Sequence, residues 1–136
     1  MQRIKIKVNT EPVAKGRARI VFTNGKVHSY TPERTKIAQD ILSKRFKKHQ
    51  HKAFNKRVPV KVTLMFYRVK SKWLPKSEDL PCRRPDLDNF IKLVLDTANG
   101  VLFYDDAQIT SIIAKKRWAI NGKGYIIIKL EEDKNG

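Results

Sequence analysis

Alternating apolar residues in the middle of the chain constrain its fold more than any other sequence feature. Residues 58–66 carry an apolar side chain at every second position, at Val58, Val60, Val62, Leu64 and Phe66. A period of two is typical of a β-strand that buries one face. The spacing then changes to the i, i+3, i+4 pattern of an amphipathic helix, at Leu87, Phe90, Ile91, Val94, Leu95 and Ala98. The chain therefore has to pack a one-sided strand against a one-sided helix.

The first third of the chain predicts a strand, a hairpin and a helix. Residues 2–8 alternate basic and apolar side chains, as in a half-buried strand. The dipeptide Asn24-Gly25 is a strong turn signal and predicts a hairpin over residues 19–30. The tripeptide Thr31-Pro32-Glu33 predicts a helix start with threonine as N-cap and proline at the first position. The apolar stripe of this helix is expected at Ile37, Ile41, Leu42 and Phe46.

The order of the elements predicts the fold class. Two more strands are expected at residues 109–120 and 125–131. Because strands and helices do not alternate regularly, the pattern favours an α+β fold, with a mixed or antiparallel sheet packed with two main helices. A length of 136 residues fits a single domain, residues 1–136. The irregular segment at residues 68–85 is predicted to be a basic loop that is functional or mobile.

The net charge of +17 indicates a polyanionic partner, most often nucleic acid. The charge is concentrated in residues 1–57, which hold 16 Lys+Arg against 3 Asp+Glu. A single cysteine excludes an internal disulfide. No apolar run is long enough for a transmembrane helix, and the N-terminus lacks the apolar core of a secretion signal. We therefore expect a cytoplasmic, DNA-associated protein with no membrane partner.

The acidic residues oppose this basic charge. Five of the 13 acids fall within a span of 21 residues, at Asp86, Asp88, Asp96, Asp105 and Asp106. A carboxylate cluster repels phosphate unless a cation lies between them. Any one of these residues could instead cap a helix or a turn. As a set, they favour a metal site.

The spacing of these acids predicts where the chemistry lies. Asp86 and Asp88 begin the second helix, and Lys92 follows Asp88 by four residues on the same face. We expect the chain to bring Asp105 and Asp106 back to the helix start. Carboxylate oxygens suit Mg²⁺ or Mn²⁺, and such an ion can polarise a phosphate and activate water. Lys92 would then stabilise charge in the transition state. The alternative is a capped helix with an ordinary surface ion pair.

Two motifs together resemble the RusA family of Holliday junction resolvases. They are R-P-D-L-D-N-x-x-K at residues 84–92 and D-D-x-Q at residues 105–108. The resemblance is dense over residues 84–109 and looser at residues 15–19 and 30–32. It implies a RusA-like fold and a Mg²⁺-dependent crossover junction endodeoxyribonuclease. Such enzymes act as homodimers on four-way branched DNA, making paired symmetric nicks in recombination and repair, and many are encoded by bacteria, phages or prophages.

The resemblance also implies roles for individual residues. Asp86, Asp88 and Asp106 match the family's catalytic and metal-binding carboxylates, and Lys92 matches its catalytic lysine. Asp105 is a further expected metal ligand, while Asp96 matches a recurrent acid without an assigned role.

Contacts with DNA are expected from basic residues near the front of the chain and in the long loop. The alternative for each of them is a solvated surface position. These candidates are Arg17, Arg19, Lys70, Lys72, Lys76, Arg83 and Arg84.

Two other functions fit parts of the sequence. A non-catalytic basic nucleic-acid-binding protein explains the charge but not the clustered acids. A metal nuclease that acts on other branched DNA, such as flaps or forks, would use the same catalytic residues, so the sequence does not distinguish it from a resolvase.

Overall fold

The computed structural model describes residues 2–16, 19–30 and 32–134, which form six strands and two α-helices. Short 3₁₀ turns lie at Gln50–Lys52 and Asp106–Gln108. The elements follow in the order β1 (Arg3–Val8), β2 (Arg19–Thr23), β3 (Lys26–Tyr30), α1 (Glu33–Lys47), β4 (Val60–Arg68), α2 (Leu87–Ala98), β5 (Ile109–Trp118) and β6 (Tyr125–Glu132).

Four of the strands form one mixed sheet in the order β1-β6-β4-β5. β6 pairs antiparallel with both β1 and β4, whereas β4 and β5 are parallel and are connected through α2. The strands β2 and β3 form a separate hairpin, whose turn has positive φ at Asn24 and Gly25. The α+β class, the mixed sheet and the two main helices are therefore confirmed, as is the hairpin.

The alternation that predicted β4 also explains the core. The even-numbered residues 4–8 of β1, 60–66 of β4 and 126–130 of β6 are buried, and the odd-numbered residues of these strands are exposed or half-buried. Phe66 of β4 meets Phe90 of α2 with their ring centroids 5.2 Å apart. α1 adds Leu42 and Phe46 to the same layer. The two helices therefore cover one face of the sheet, and the opposite face does not contribute to the core cluster.

The stripe predicted for α1 is wrong in part. Ile37 is 52% exposed and Ile41 is 36% exposed. The buried positions of α1 are Thr35, Ala38, Leu42 and Phe46. Burial of Thr35 is tolerated because its hydroxyl accepts a hydrogen bond from the backbone N–H of Gly16 at 3.0 Å. The predicted N-cap, Thr31, lies outside the described residues, and the helix begins at Glu33.

Because β4 extends to Arg68, the basic loop observed in the structure spans residues 69–85, and hydrogen bonds attach it to the C-terminal end of β5. The indole N–H of Trp118 and the ammonium of Lys70 both donate to the backbone carbonyl of Glu78, at 3.0 and 2.8 Å. Lys116 donates to the carbonyls of Arg83 and Pro85, each at 3.0 Å. These bonds bring the start of α2 next to the end of β5. In the described part of the chain, no helix has the length and apolarity needed to cross a membrane.

Candidate active site

The exposed face of α2 carries a stripe of three charged residues. Its apolar face packs on the sheet through Phe90, Leu93, Val94 and Ala98, so the opposite side faces solvent. Asp88, Lys92 and Asp96 occupy that side at intervals of four residues, and all three are exposed. The structure therefore confirms that Asp88 and Lys92 share one helix face, with Asp96 one turn further on.

Asp86 precedes this stripe in the N-cap position of α2. Its backbone is extended, at φ −69° and ψ 145°, and its side chain makes no capping hydrogen bond within the described structure. The capping bond that was the structural alternative for Asp86 is therefore not observed. The exposed carboxylate lies beside the positive end of the helix, which stabilises negative charge.

Asp105 and Asp106 occupy a short turn that is fixed by Gln108. The side chain of Asp105 accepts a hydrogen bond from the backbone N–H of Gln108, forming a capping box. The Gln108 amide oxygen accepts from the backbone N–H groups of Tyr104 and Asp105, at 2.7 and 2.9 Å. Its amide nitrogen donates to the carbonyls of Asn55 and Val58, at 2.6 and 3.0 Å. Gln108 is thus a positioning residue that ties the acidic turn to the segment before β4.

The pKa of Asp106 is raised above its ordinary value. Desolvation by partial burial is the largest cause, followed by the negative charges of Asp96 and Asp105. Asp96 also forms an ion pair with Lys15. These three carboxylates therefore influence one another near the C-terminal half of α2.

The structure separates the two predicted pairs of carboxylates within one chain. The start of α2 lies beside Lys116, near the end of β5, whereas Asp106 lies just before β5 begins. The seven residue steps from Ile109 to Lys116 span roughly 23 Å in an extended strand. The expectation that Asp105 and Asp106 return to the helix start is therefore wrong. Among residues 2–16, 19–30 and 32–134, no group of three His, Cys, Asp or Glu side chains is placed to share a metal ion.

A tight turn after α2 is the physical reason for this separation. Gly100 adopts a positive φ of 76°, and its N–H donates to the carbonyl of Phe103 at 3.0 Å. Leu102 and Phe103 are then buried in the core. The chain is therefore anchored at the end of the helix before it reaches Asp105.

The predicted DNA contacts fall into two groups. Lys70 and Arg83 make internal contacts, since Lys70 bonds the Glu78 carbonyl and Arg83 bonds the Glu78 carboxylate at 2.8 Å. Lys72, Lys76, Arg83 and Arg84 lie at exposed positions, so Arg83 is exposed although it bonds Glu78. Arg17 lies outside the described residues, and of Arg19 only the backbone, in β2, is described.

The sequence reasoning missed a cleft beside the acidic turn. It has a volume of about 280 Å³ and is lined by Lys56, Arg57, Tyr104 and Asp105, among others. Tyr104 is 60% exposed, and the Lys56 ammonium lies 5.2 Å from its ring centroid. The only sequence signal was the basic pair Lys56 and Arg57, which lies far from the acids along the chain.

Comparison with known proteins supports the resemblance seen in the motifs. A sequence model of the family described as Endodeoxyribonuclease RusA matches residues 9–131, which include both motifs. The chain is also similar to the uncharacterized protein YqaN of Bacillus subtilis (strain 168), with 28% identity over 139 residues. That alignment covers 95% of this chain and 97% of YqaN.

Proposed function

The chain belongs to the RusA family of endodeoxyribonucleases, and from this premise we propose that it resolves Holliday junctions. Paired symmetric nicks in four-way DNA would serve recombination and repair in the cytoplasm. The observation that carries the proposal is the exposed Asp88–Lys92 face of α2, within the matched region, next to an Asp86 carboxylate that makes no capping bond. The charge of +17 supplies sequence-independent affinity for the substrate.

We assign catalytic roles to Asp86, Asp88, Lys92 and Asp106, and metal binding to the same three aspartates with Asp105. Their oxygen donors suit Mg²⁺, with Mn²⁺ as the alternative. One chain alone does not fit the ion fully, because its described residues place no three such ligands together. When bound, the ion would polarise the scissile phosphate and lower the pKa of a water molecule.

The chain's own residues can act on the substrate without further rearrangement of α2. Lys92 projects into solvent one helical turn from Asp88, so its ammonium can contact a phosphate that approaches the helix start. The N–H groups at that helix end also favour a phosphate oxygen. Together they would hold the phosphate and stabilise the charge that develops during cleavage.

The edge of the sheet supports a homodimer. β5 is an edge strand of ten residues and exposes both Ile112, at 46%, and Ile113, at 42%. A long edge strand with exposed apolar residues is a template for pairing with another chain. We assign this edge to a second copy, paired antiparallel about a two-fold axis.

This pairing would bring the separated carboxylates together. Centred between Ile112 and Ile113, it sets Lys116 of one protomer opposite the partner's Ile109. Asp86 lies near Lys116, and Asp106 lies three residues before Ile109 in the chain. The helix start of one protomer would therefore meet the acidic turn of the other, and each dimer would contain two complete sites.

The first test is cleavage of a labelled four-way DNA junction beside a linear duplex of the same sequence, with and without Mg²⁺. We expect paired nicks in the junction that need the metal and are lost in Asp88→Asn. Binding to both DNAs without any nick would contradict the proposal and favour a non-catalytic binding protein. Equal cleavage of flaps or forks would indicate a different branched substrate.

A mixed dimer tests the shared site. Asp88→Asn and Asp106→Asn chains carrying different tags are coexpressed, and the dimer with both tags is purified. Each variant alone should be inactive, whereas the mixed dimer contains one intact site and should nick one strand. An inactive mixed dimer, with wild-type dimer active in the same assay, would contradict sharing between protomers.

A further inference from the structure

The face of the sheet that is opposite the helices is strongly basic. It consists of the odd-numbered residues of β1, β6 and β4, and of residues 111–117 of β5 that pair with them; we call it the open face. Its charged members are exposed or half-buried. They comprise seven cations and one acid, namely Arg3, Lys5, Lys7, Lys61, Lys115, Arg117 and Lys129 against Glu131.

The cross-strand pairs of the open face do not balance its charge. Lys5 lies directly opposite Lys129 in the pairing of β1 with β6. Like charges in that position destabilise a sheet. Glu131 is shared between Arg3, at 3.6 Å, and Lys129, at 3.7 Å. Internal contacts therefore do not account for this concentration of positive charge, whereas a bound polyanion would.

A cleft with phosphate-binding chemistry adjoins one end of the open face. It has a volume of about 410 Å³ and is lined by Lys7, Asn9, Asn121, Lys123, Gly124 and Tyr125. The ammonium of Lys7 lies 4.6 Å from the centroid of the Tyr125 ring. Tyr125 in turn stacks on Tyr67, with centroids 4.2 Å apart. Two ammonium groups and two amides thus line the cleft beside the ring of Tyr125, which Tyr67 supports from outside, and this set of donors suits a phosphate group.

We propose that the open face binds the phosphate backbone of double-stranded DNA, with one phosphate in the cleft at Lys7 and Lys123. Duplex DNA carries one charge per 1.7 Å of its axis, both strands counted, so a segment about 20 Å long carries roughly 12 phosphates, and those on one side of the duplex face this surface. The open face points away from α2, so it would hold a segment of DNA other than the one being cleaved. This inference rests on the proposed function in one respect, which is that the bound polyanion is DNA.

Binding of a 30-base-pair duplex, followed by fluorescence anisotropy without divalent metal, tests the open face. The double variant Lys5→Ala/Lys129→Ala is compared with Lys36→Ala/Lys44→Ala, which removes the same charge from the exposed side of α1. We expect about a tenfold or greater loss of affinity for the first variant. The slope of log affinity against log salt concentration should also decrease by the equivalent of roughly two phosphate contacts. The α1 variant should change far less. Equal losses in both variants would overturn the proposal, because they would reflect net charge alone.

A second measurement maps the surface directly. Lysine acetylation, read by mass spectrometry, should show Lys5, Lys7 and Lys129 protected by bound duplex more strongly than Lys36 and Lys44. Equal protection of the two groups would overturn the proposal, and so would tighter binding of duplex RNA through the same lysines.

The two proposals fail in different ways. A chain that binds through the open face but never nicks a junction would contradict the proposed function and leave this inference standing. If the protein nicks junctions and the Lys5→Ala/Lys129→Ala variant binds duplex normally, the proposed function stands and the inference about the open face is contradicted.

Discussion

The two faces of the four-stranded sheet differ in what their side chains do. In β4 the even-numbered residues Val60, Val62, Leu64 and Phe66 are fully buried against the helices. The odd-numbered residues that alternate with them are half-buried, and one of them is Lys61. Because successive side chains in a strand point to opposite faces, one short sequence serves two purposes. The covered face holds the fold together, and the open face remains for contact with a partner.

This difference predicts opposite responses to substitution. On the covered face a substitution removes packing. The free energy of unfolding should therefore fall, while the folded protein keeps its affinity for DNA. On the open face a change alters charge at the surface, so DNA affinity should fall with little loss of stability. A residue that violated this division would show that the two faces are not independent.

The largest expected effect is on the covered face, at Phe66. Its ring is fully buried and packs on Phe90. Phe66→Ala should lower the free energy of unfolding by about 3–5 kcal/mol, measured by denaturant titration. Thr63→Ala, on the open face of the same strand, is the matched control and should lower the free energy of unfolding by no more than about 1 kcal/mol. Similar losses in both variants would contradict the division between the faces.

The next effect concerns Gln108, one of two buried polar residues in the described part of the chain. Gln108→Leu keeps much of the volume but removes four hydrogen bonds to backbone groups. We expect a loss of about 2–4 kcal/mol in the free energy of unfolding, because buried partners are left unsatisfied. Gln50→Leu, at an exposed glutamine, is the control. An unchanged stability in Gln108→Leu would show that water replaces these bonds and that the acidic turn does not depend on them.

Local patterns explain which parts of the fold could be predicted. Period-two alternation at residues 58–66 and helical spacing at residues 87–98 each depend on one face of one element, so they predicted β4 and α2 well. The stripe of α1 failed because Thr35 is buried through a bond to Gly16, which is distant in the chain. The apolar spacing within α1 carries no information about a bond to Gly16, which lies 19 residues away.

The candidate site was predictable in its residues but not in its arrangement. The helical repeat placed Asp88 and Lys92 on one exposed face, as observed. The separation of Asp106 from the helix start depends on the parallel pairing of β4 with β5 and on burial of Phe103, which are tertiary features. The open face was missed for a related reason. The alternation of residues 2–8 predicted a strand, but the pairing of Lys5 with Lys129 requires the register of β6.

A smaller effect, of opposite sign for stability and binding, is expected at Lys5. Lys5→Glu places an acid opposite Lys129 and replaces a repulsive pair by an attractive one. The free energy of unfolding should rise by roughly 0.2–1 kcal/mol, while affinity for duplex DNA falls. Lys5→Gln, which removes the charge without reversing it, should give intermediate values in both measurements. A variant that loses stability and keeps its affinity would contradict the role given to the open face.

The smallest effect is pH-dependent and lies at Asp133, which follows β6. Its carboxylate accepts hydrogen bonds from Ser111 and Thr110 at the start of β5, both at 2.7 Å, and these bonds lower its pKa. A pKa lower in the folded chain than in the unfolded chain stabilises the fold above the unfolded value of about 3.8. That stabilisation is lost as the pH falls through the folded pKa. Asp133→Asn should therefore be slightly less stable than wild type near pH 7, and the difference should vanish in acid, in denaturant titrations at the two pH values.

The same titrations separate charge from hydrogen bonding at this position. The asparagine can still accept one hydrogen bond from a hydroxyl, so only the part of the interaction that depends on charge is removed. A difference of the same size at both pH values would mean that the amide loses its place beside Ser111 and Thr110. In that case the hydrogen-bonding geometry of Asp133, and not its charge, would hold the start of β5. The position of this edge strand, which is assigned to dimer pairing, would then not depend on pH.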